Sequence, residues 1–409
     1  MKFATQLLHG AFDPDKATGS TRTPIYQTSA YNQETAEDME KIFSGRQAGF
    51  VYTRVGNPTL ASFERRVASL EGGVGAVSFA SGMGAIAMSI LNIASAGDEI
   101  VADGSLFGGT TELFEELETF GIKVRCTSSA AVDDFASLIN NRTRLIYSEV
   151  IGNPKLDVVD IAALADLAHS HNLPLFIDNT LATPYLCQPI KLGADVVIHS
   201  ISKMMNGTGN SIGGIVVVGS KFKWADMPKL KNFSQFKALS YLVRLRKVML
   251  TDFGAALSPF NAYLTSIGLD TLALRTECAC NNAMRLAEKC SQRDDVFVNY
   301  NGLADNPYHA IANTQFNGRF GSIFTLKLGT KDKAFKFINS LKYALNVSNI
   351  GDTRTLVIHP ASTIYLHCSE AQRLNAGVTD DLVRVSVGIE DIDDLIEDFE
   401  HALTSLEDL

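Results

Sequence analysis

The chain has 409 residues, 46% of them hydrophobic and 20% charged, enough to bury the cores of two or three domains. A net charge of −9 without a long basic run argues against a nucleic-acid or anionic-membrane partner. Six cysteines do not make a disulfide framework, the spacing of Cys278, Cys280 and Cys290 suits neither a CxxC pair nor a zinc knuckle, and Met1 to Gln6 has no apolar signal core; the composition leads to the expectation of a soluble cytoplasmic enzyme.

Residues 72–97 carry no charge, yet six glycines and several serines interrupt them, which excludes a continuous membrane helix. They read as a buried strand, Ala76–Phe79, a glycine turn, and a buried helix from Met83 to about Ile93. Free N–H groups where a strand hands over to a helix bind phosphate well, and Ser81-Gly82-Met83-Gly84 stands at that point. Strand and helix then alternate. Strands are predicted at Glu99–Ala102, Lys123–Cys126 and Leu145–Glu149, with helices at Thr111–Phe120 and Asp160–His171. His169 and His171 lie two apart and point to different helix faces, so they do not form a metal pair. Further strands follow at Leu175–Ile177, Ala194–Ile198 and Ile215–Val218. This order implies an α/β fold, a mostly parallel sheet wrapped by helices with ligand groups at the carboxyl ends of strands. After about residue 255 the texture changes. A long helical stretch is predicted from Ser258 to about Gln292. Strands with one solvated face are expected at Ser322–Leu328 and Leu382–Val387, and an acidic, solvated helix at Asp391–Leu406.

Lys203 follows the strand Ala194–Ile198 in the run His199-Ser200-Ile201-Ser202-Lys203. Asp178 ends the strand 25 residues upstream, one strand–helix–strand step away. A lone lysine after a strand is ordinarily a solvated one. Here an acid, an amine and the hydroxyls of Ser200 and Ser202 converge at neighbouring strand ends, beside glycine-rich turns. Pyridoxal phosphate chemistry needs that set: an amine for the Schiff base, a carboxylate for the pyridinium nitrogen and donors for the phosphate.

From Pro24-Ile25-Tyr26-Gln27-Thr28 to Val383-Arg384-Val385-Ser386-Val387-Gly388, many short motifs occur in the order seen in the Cys/Met-metabolism family of pyridoxal-phosphate enzymes, which the chain resembles nearly end to end. The resemblance implies the fold type I (aspartate-aminotransferase-like) architecture. Residues 1–57 would form an arm reaching a neighbouring subunit, 58–255 the large cofactor domain and 256–409 a smaller α+β domain. It implies a homotetramer, a dimer of dimers with shared active sites. Lys203 then resembles the Schiff-base lysine and Asp178 the pyridinium partner. Gly82, Met83, Ser200 and Ser202 resemble the phosphate cup, with Tyr52 and Arg54 reaching the phosphate of the adjacent subunit. Asn153 matches the asparagine beside the cofactor's phenolic oxygen. Phe107 stands where a tyrosine usually stacks on the ring. Arg384 matches the clamp on the substrate carboxylate, and Asn349 lies in a block, Asn349-Ile350-Gly351-Asp352 with His359-Pro360-Ala361-Ser362-Thr363, typical of the sulfhydrylase branch. That branch implies γ-replacement on an O-acylhomoserine by a sulfur donor, such as O-acetylhomoserine plus sulfide giving homocysteine. A lyase cutting a C–S bond and a non-catalytic protein keeping the fold are the alternatives. Besides Phe107, Thr208 with Asn210 and Thr363-Ile364-Tyr365 depart from the family's usual residues.

Overall fold

The computed structural model describes residues 1–11, 14, 15 and 18–408. Among the described residues twelve strands form two sheets. β1 (Gly75–Phe79), β2 (Glu99–Ala102), β3 (Lys123–Cys126), β4 (Thr143–Glu149), β5 (Leu175–Asp178), β6 (Val196–Ser200) and β7 (Gly214–Val218) make the first, in the order β1-β7-β6-β5-β4-β2-β3. All of its pairs are parallel except the two made by β7. β5 and β7 are buried at every residue, as strands covered on both faces must be, which is why they read as unbroken apolar runs. The register sets Glu149 beside Asp178, Asp178 beside Ile198, and Ser200 beside Gly214. The carboxyl ends of β4, β5 and β6 therefore open onto one place.

The uncharged stretch is a strand, a turn and the helix Gly82–Leu91, capped by Ser81, whose hydroxyl accepts from the Gly84 N–H at 3.0 Å. Among the described residues no helix is long and apolar enough to cross a membrane. The sequence reading left the helix Pro58–Glu71 unassigned. It has an Asn57 cap, proline at its first position and Gly72 in a left-handed conformation (φ +77°) at its end. The connection from β5 to β6 contains only the short turns Thr183–Leu186 and Pro189–Leu192 where a full helix was expected. A 35-residue excursion after β7 covers the helix Gly82–Leu91: the Tyr241 hydroxyl donates to the Ser89 carbonyl, and Lys229 donates to those of Leu91 and Ala94.

The second sheet comprises β8 (Phe297–Asn299), β9 (Ile323–Lys327), β10 (Leu345–Asn346), β11 (Leu356–Ile358) and β12 (Leu382–Ser386), ordered β10-β11-β12-β9-β8. Three expectations are corrected here. β12 is central and fully buried, and β9 nearly so, so neither shows a solvated face. The predicted long helix is two, Pro259–Asp270 and Leu272–Cys290, broken at Thr271. The acidic helix, Ile392–Thr404, is not solvated at Asp398, which is buried and accepts the N–H groups of Lys342, Tyr343 and Ala344. One apolar cluster runs from Leu7 through β5 and β6 to Leu406, so the sheets share a core. Cys280 and Cys290 sit in that core, as expected of packing thiols.

Candidate active site

A cavity of ≈ 480 Å³ lies between the strand ends of the first sheet and, from the second half of the chain, residues 348–350, Ile364 and Arg384 of the central strand Leu382–Ser386. Ten of the predicted residues line it: Gly82, Met83, Phe107, Asn153, Asp178, Ser200, Ser202, Lys203, Asn349 and Arg384. Tyr52 and Arg54 do not. Both are exposed, with the Arg54 guanidinium 5.5 Å from the Tyr52 ring centroid and donating to the Thr251 carbonyl.

Lys203 projects from the turn that follows β6. Its Nζ donates to Asn349 Oδ1 at 2.6 Å. Burial, and then the nearby positive charge of Arg384, lower the amine's pKa to about 8. The turn is held from outside by Arg275, whose guanidinium donates to the carbonyls of Met204 (2.9 Å), Gly268 (2.8 Å) and Met205 (3.4 Å). Gly207 completes the turn at φ +75°, and a Cβ there would meet the Arg275 guanidinium at 2.0 Å.

Asp178 ends β5, 8% exposed. Its Oδ1 accepts the Thr180 N–H at 2.9 Å, and burial raises its pKa. Thr180 in turn accepts from the Ser200 N–H at 2.8 Å, so the β5 and β6 ends are cross-tied. Glu149, on the neighbouring strand, is also buried. It accepts the Phe107 N–H at 2.7 Å, and its pKa is pushed well up by burial and by the charge of Asp178. This wall of the cavity therefore demands positive charge or protons.

The opposite requirement holds at two other places. The helix Gly82–Leu91 points its first N–H groups at the cavity beside the Ser200 hydroxyl, which has no hydrogen bond of its own among the described residues. A Cβ on Gly82 would meet Ser200 Cβ at 2.7 Å, so only glycine lets the helix start this close to β6. Ser202 is partly committed, since its hydroxyl accepts the Gly213 N–H at 3.0 Å. Arg384 on β12 is 3% exposed. It donates to Asn153 Oδ1 (3.0 Å) and the Asn349 carbonyl (3.2 Å), and it has no carboxylate partner among the described residues. Burial lowers its pKa to about 10. A buried cation without a counter-ion is costly, and a ligand carboxylate would relieve it.

The set fits pyridoxal phosphate. The helix start and Ser200 suit the phosphate, Asp178 the ring nitrogen, the Asn153 amide the phenolic oxygen, and Lys203 the carbonyl carbon. Phe107, half-buried in the wall, offers an aromatic face. Sequence reasoning passed over Glu149, Thr180 and Arg275. Glu149 left a signal, an acid closing an apolar strand as Asp178 does. Arg275 left none, sitting mid-helix like any solvated arginine.

A profile of the family described as Cys/Met metabolism PLP-dependent enzyme matches residues 4–404. The O-acetyl-L-homoserine sulfhydrylase of Leptospira meyeri is 40% identical, covering 98% of this chain and 96% of its own. The homocysteine/cysteine synthase of Saccharomyces cerevisiae is 38% identical, covering 99% and 98%. A crystal structure from Campylobacter jejuni, named for an O-acetylhomoserine (thiol)-lyase and holding N′-pyridoxyl-lysine-5′-monophosphate, superimposes with a TM-score of 0.95 at 33% identity over 99% of this chain and 100% of its own.

Proposed function

Since this chain belongs to the Cys/Met metabolism PLP-dependent enzymes, we propose that it replaces the γ-acyloxy group of an O-acylhomoserine with a sulfur nucleophile, O-acetylhomoserine and sulfide giving homocysteine and acetate. The observation that carries this reading is the buried, carboxylate-free Arg384, linked through Asn349 to the Lys203 amine. It sets a substrate carboxylate and the reacting amine in one small cavity. Lys203 and Arg384 are the only lysine or arginine side chains lining that cavity among the described residues, and both are committed. The relatives named O-acetyl-L-homoserine sulfhydrylase favour the acetyl ester.

When bound, pyridoxal phosphate supplies a carbonyl carbon that captures the substrate's amino group and a ring that stores the electron pair left by a departing proton. Asp178 keeps negative charge at the ring nitrogen and so favours its protonated form. Arg384, with Asn153, clamps the α-carboxylate and orients the Cα–H bond towards Lys203. In the cofactor-free chain burial and Arg384 lower the pKa of the Lys203 amine to about 8. Its place in the cavity beside Asn349 and Arg384 suits it to take the α-proton and move a β-proton as general base and acid. Acetate then leaves from the γ-carbon and sulfide bonds there.

The test is product analysis with O-acetyl- and O-succinylhomoserine, each with sulfide, methanethiol or cysteine. Homocysteine with stoichiometric acetate is expected. Release of 2-oxobutanoate and ammonia without added sulfide would assign a lyase and overturn the reading. Arg384→Leu should cut kcat/KM for the amino acid by about 10²–10³-fold, chiefly through KM, because a buried charge pair is lost.

We further propose that the enzyme is a cytoplasmic homotetramer in which residues 1–57 complete a neighbour's site. The exposure of Tyr52 and Arg54 outside their own cavity supports the sharing of sites between subunits. Mixing inactive Arg54→Ala with inactive Lys203→Ala should restore part of the activity after subunit exchange. No recovery after verified exchange would count against shared sites.

A further inference from the structure

Nothing in the chemistry above uses Tyr365. The residue is 1% exposed, seated among Ala361, Ala376, Val378 and Leu382. Its hydroxyl lies 2.7 Å from the Leu106 carbonyl and 2.7 Å from the Asn153 carbonyl. One proton thus serves two acceptors on separate loops. The first loop carries Phe107. The second carries the asparagine whose side chain accepts from Arg384. The preceding residue, Ile364, lines the cavity, and its carbonyl approaches Gly108 so closely that a Cβ there would lie 2.4 Å away. Burial holds the phenol's pKa well above 10, so it remains a donor at any working pH.

We infer that Tyr365 is a positioning and specificity residue: its hydroxyl latches residues 362–366 onto the Phe107 and Asn153 loops, fixing Asn153 for the Arg384 clamp and setting Ile364 as an apolar wall against the acyl group. The inference rests on the O-acylhomoserine reading for its substrate. The latch draws its energy from the carbonyls of two buried residues, Leu106 and Asn153, for which no other hydrogen-bond donor is found among the described residues. Phenylalanine keeps the ring and its packing, so the fold should survive the test.

In holoenzyme, Tyr365→Phe should raise KM for O-acetylhomoserine about tenfold with kcat within about twofold, the size of one buried hydrogen bond lost. Its preference for O-acetyl- over the bulkier O-butyrylhomoserine should fall by a comparable factor. Amide hydrogen exchange in residues 104–110 and 362–366, measured with and without cofactor, should quicken about tenfold while β5 and β6 stay unchanged. Unchanged KM would overturn the inference even if exchange quickens, because Tyr365 would then be a structural tie alone. A KM increase without faster exchange would overturn it too. Should wild type turn over no O-acylhomoserine, the functional reading fails on its own. The latch is then judged by exchange and by L-norleucine binding followed through cofactor absorbance: weaker binding with faster exchange upholds it, and any other result overturns it.

Discussion

Lys203→Ala should abolish turnover, by on the order of 10⁴-fold or more, because in the proposed mechanism one amine both anchors the cofactor and moves the protons. Borohydride reduction of the variant with pyridoxal phosphate should trap no cofactor on residues 200–206. The wild-type amine has a second signature. Burial and Arg384 lower its pKa to about 8, so its neutral, nucleophilic form grows in through that pH, well below an ordinary lysine. In cofactor-free protein, the rate of acylation at Lys203 should therefore rise with pH to a midpoint near 8 and then level. Arg384→Leu removes one of the two causes and should move the midpoint upward. Retention of most activity in Lys203→Ala would refute the site assignment, and a midpoint near that of free lysine would refute the electrostatic account.

Asp178→Asn should lower kcat on the order of 10³-fold while the protein folds normally. The substitution keeps the shape and the bond to the Thr180 N–H but cannot carry charge. Its effect on cofactor-free stability has a definite sign. Burial raises the folded-state pKa of Asp178, so the carboxyl favours folding at low pH, and this contribution is lost as pH rises through the raised value. Asparagine does not titrate. Cofactor-free Asp178→Asn should then melt at or above the wild-type temperature at pH 8. A variant that both melts lower and keeps its kcat would show Asp178 to be a packing residue.

β5 and β7 were legible because they are covered on both faces, and a covered strand is apolar along most of its length, as Ile215–Val218 and Leu175–Ile177 are. In such a run, an acid or hydroxyl at the carboxyl end stands out. Asp178, Ser200 and Lys203 were found that way, and the parallel register of β5 and β6 brings them together. The glycine turn at 81–84 was legible for a related reason, since a strand feeding directly into a helix leaves free N–H groups at one point.

Other features had no local signature. Arg384 reads as an outward strand residue. It is buried because β11 and β9 flank β12 and the first sheet's loops close over it, a circumstance set by residues 231 and 35 positions away. Asp398 reads as one more acid on a solvated face, and three N–H groups from residues 342–344 make it a buried acceptor. The two roles of Tyr365 depend on Leu106 and Asn153, more than 200 residues upstream. The sequence by itself determined the parallel sheet, the residues at its carboxyl ends and hence the cofactor chemistry, because backbone periodicity and strand-end position are local properties. Only the tertiary structure decided the burial of Arg384, the lowered pKa of Lys203 and the latch at Tyr365. Desolvation and hydrogen-bond geometry depend on which distant segments exclude water from a group, and no window of neighbouring residues contains that information.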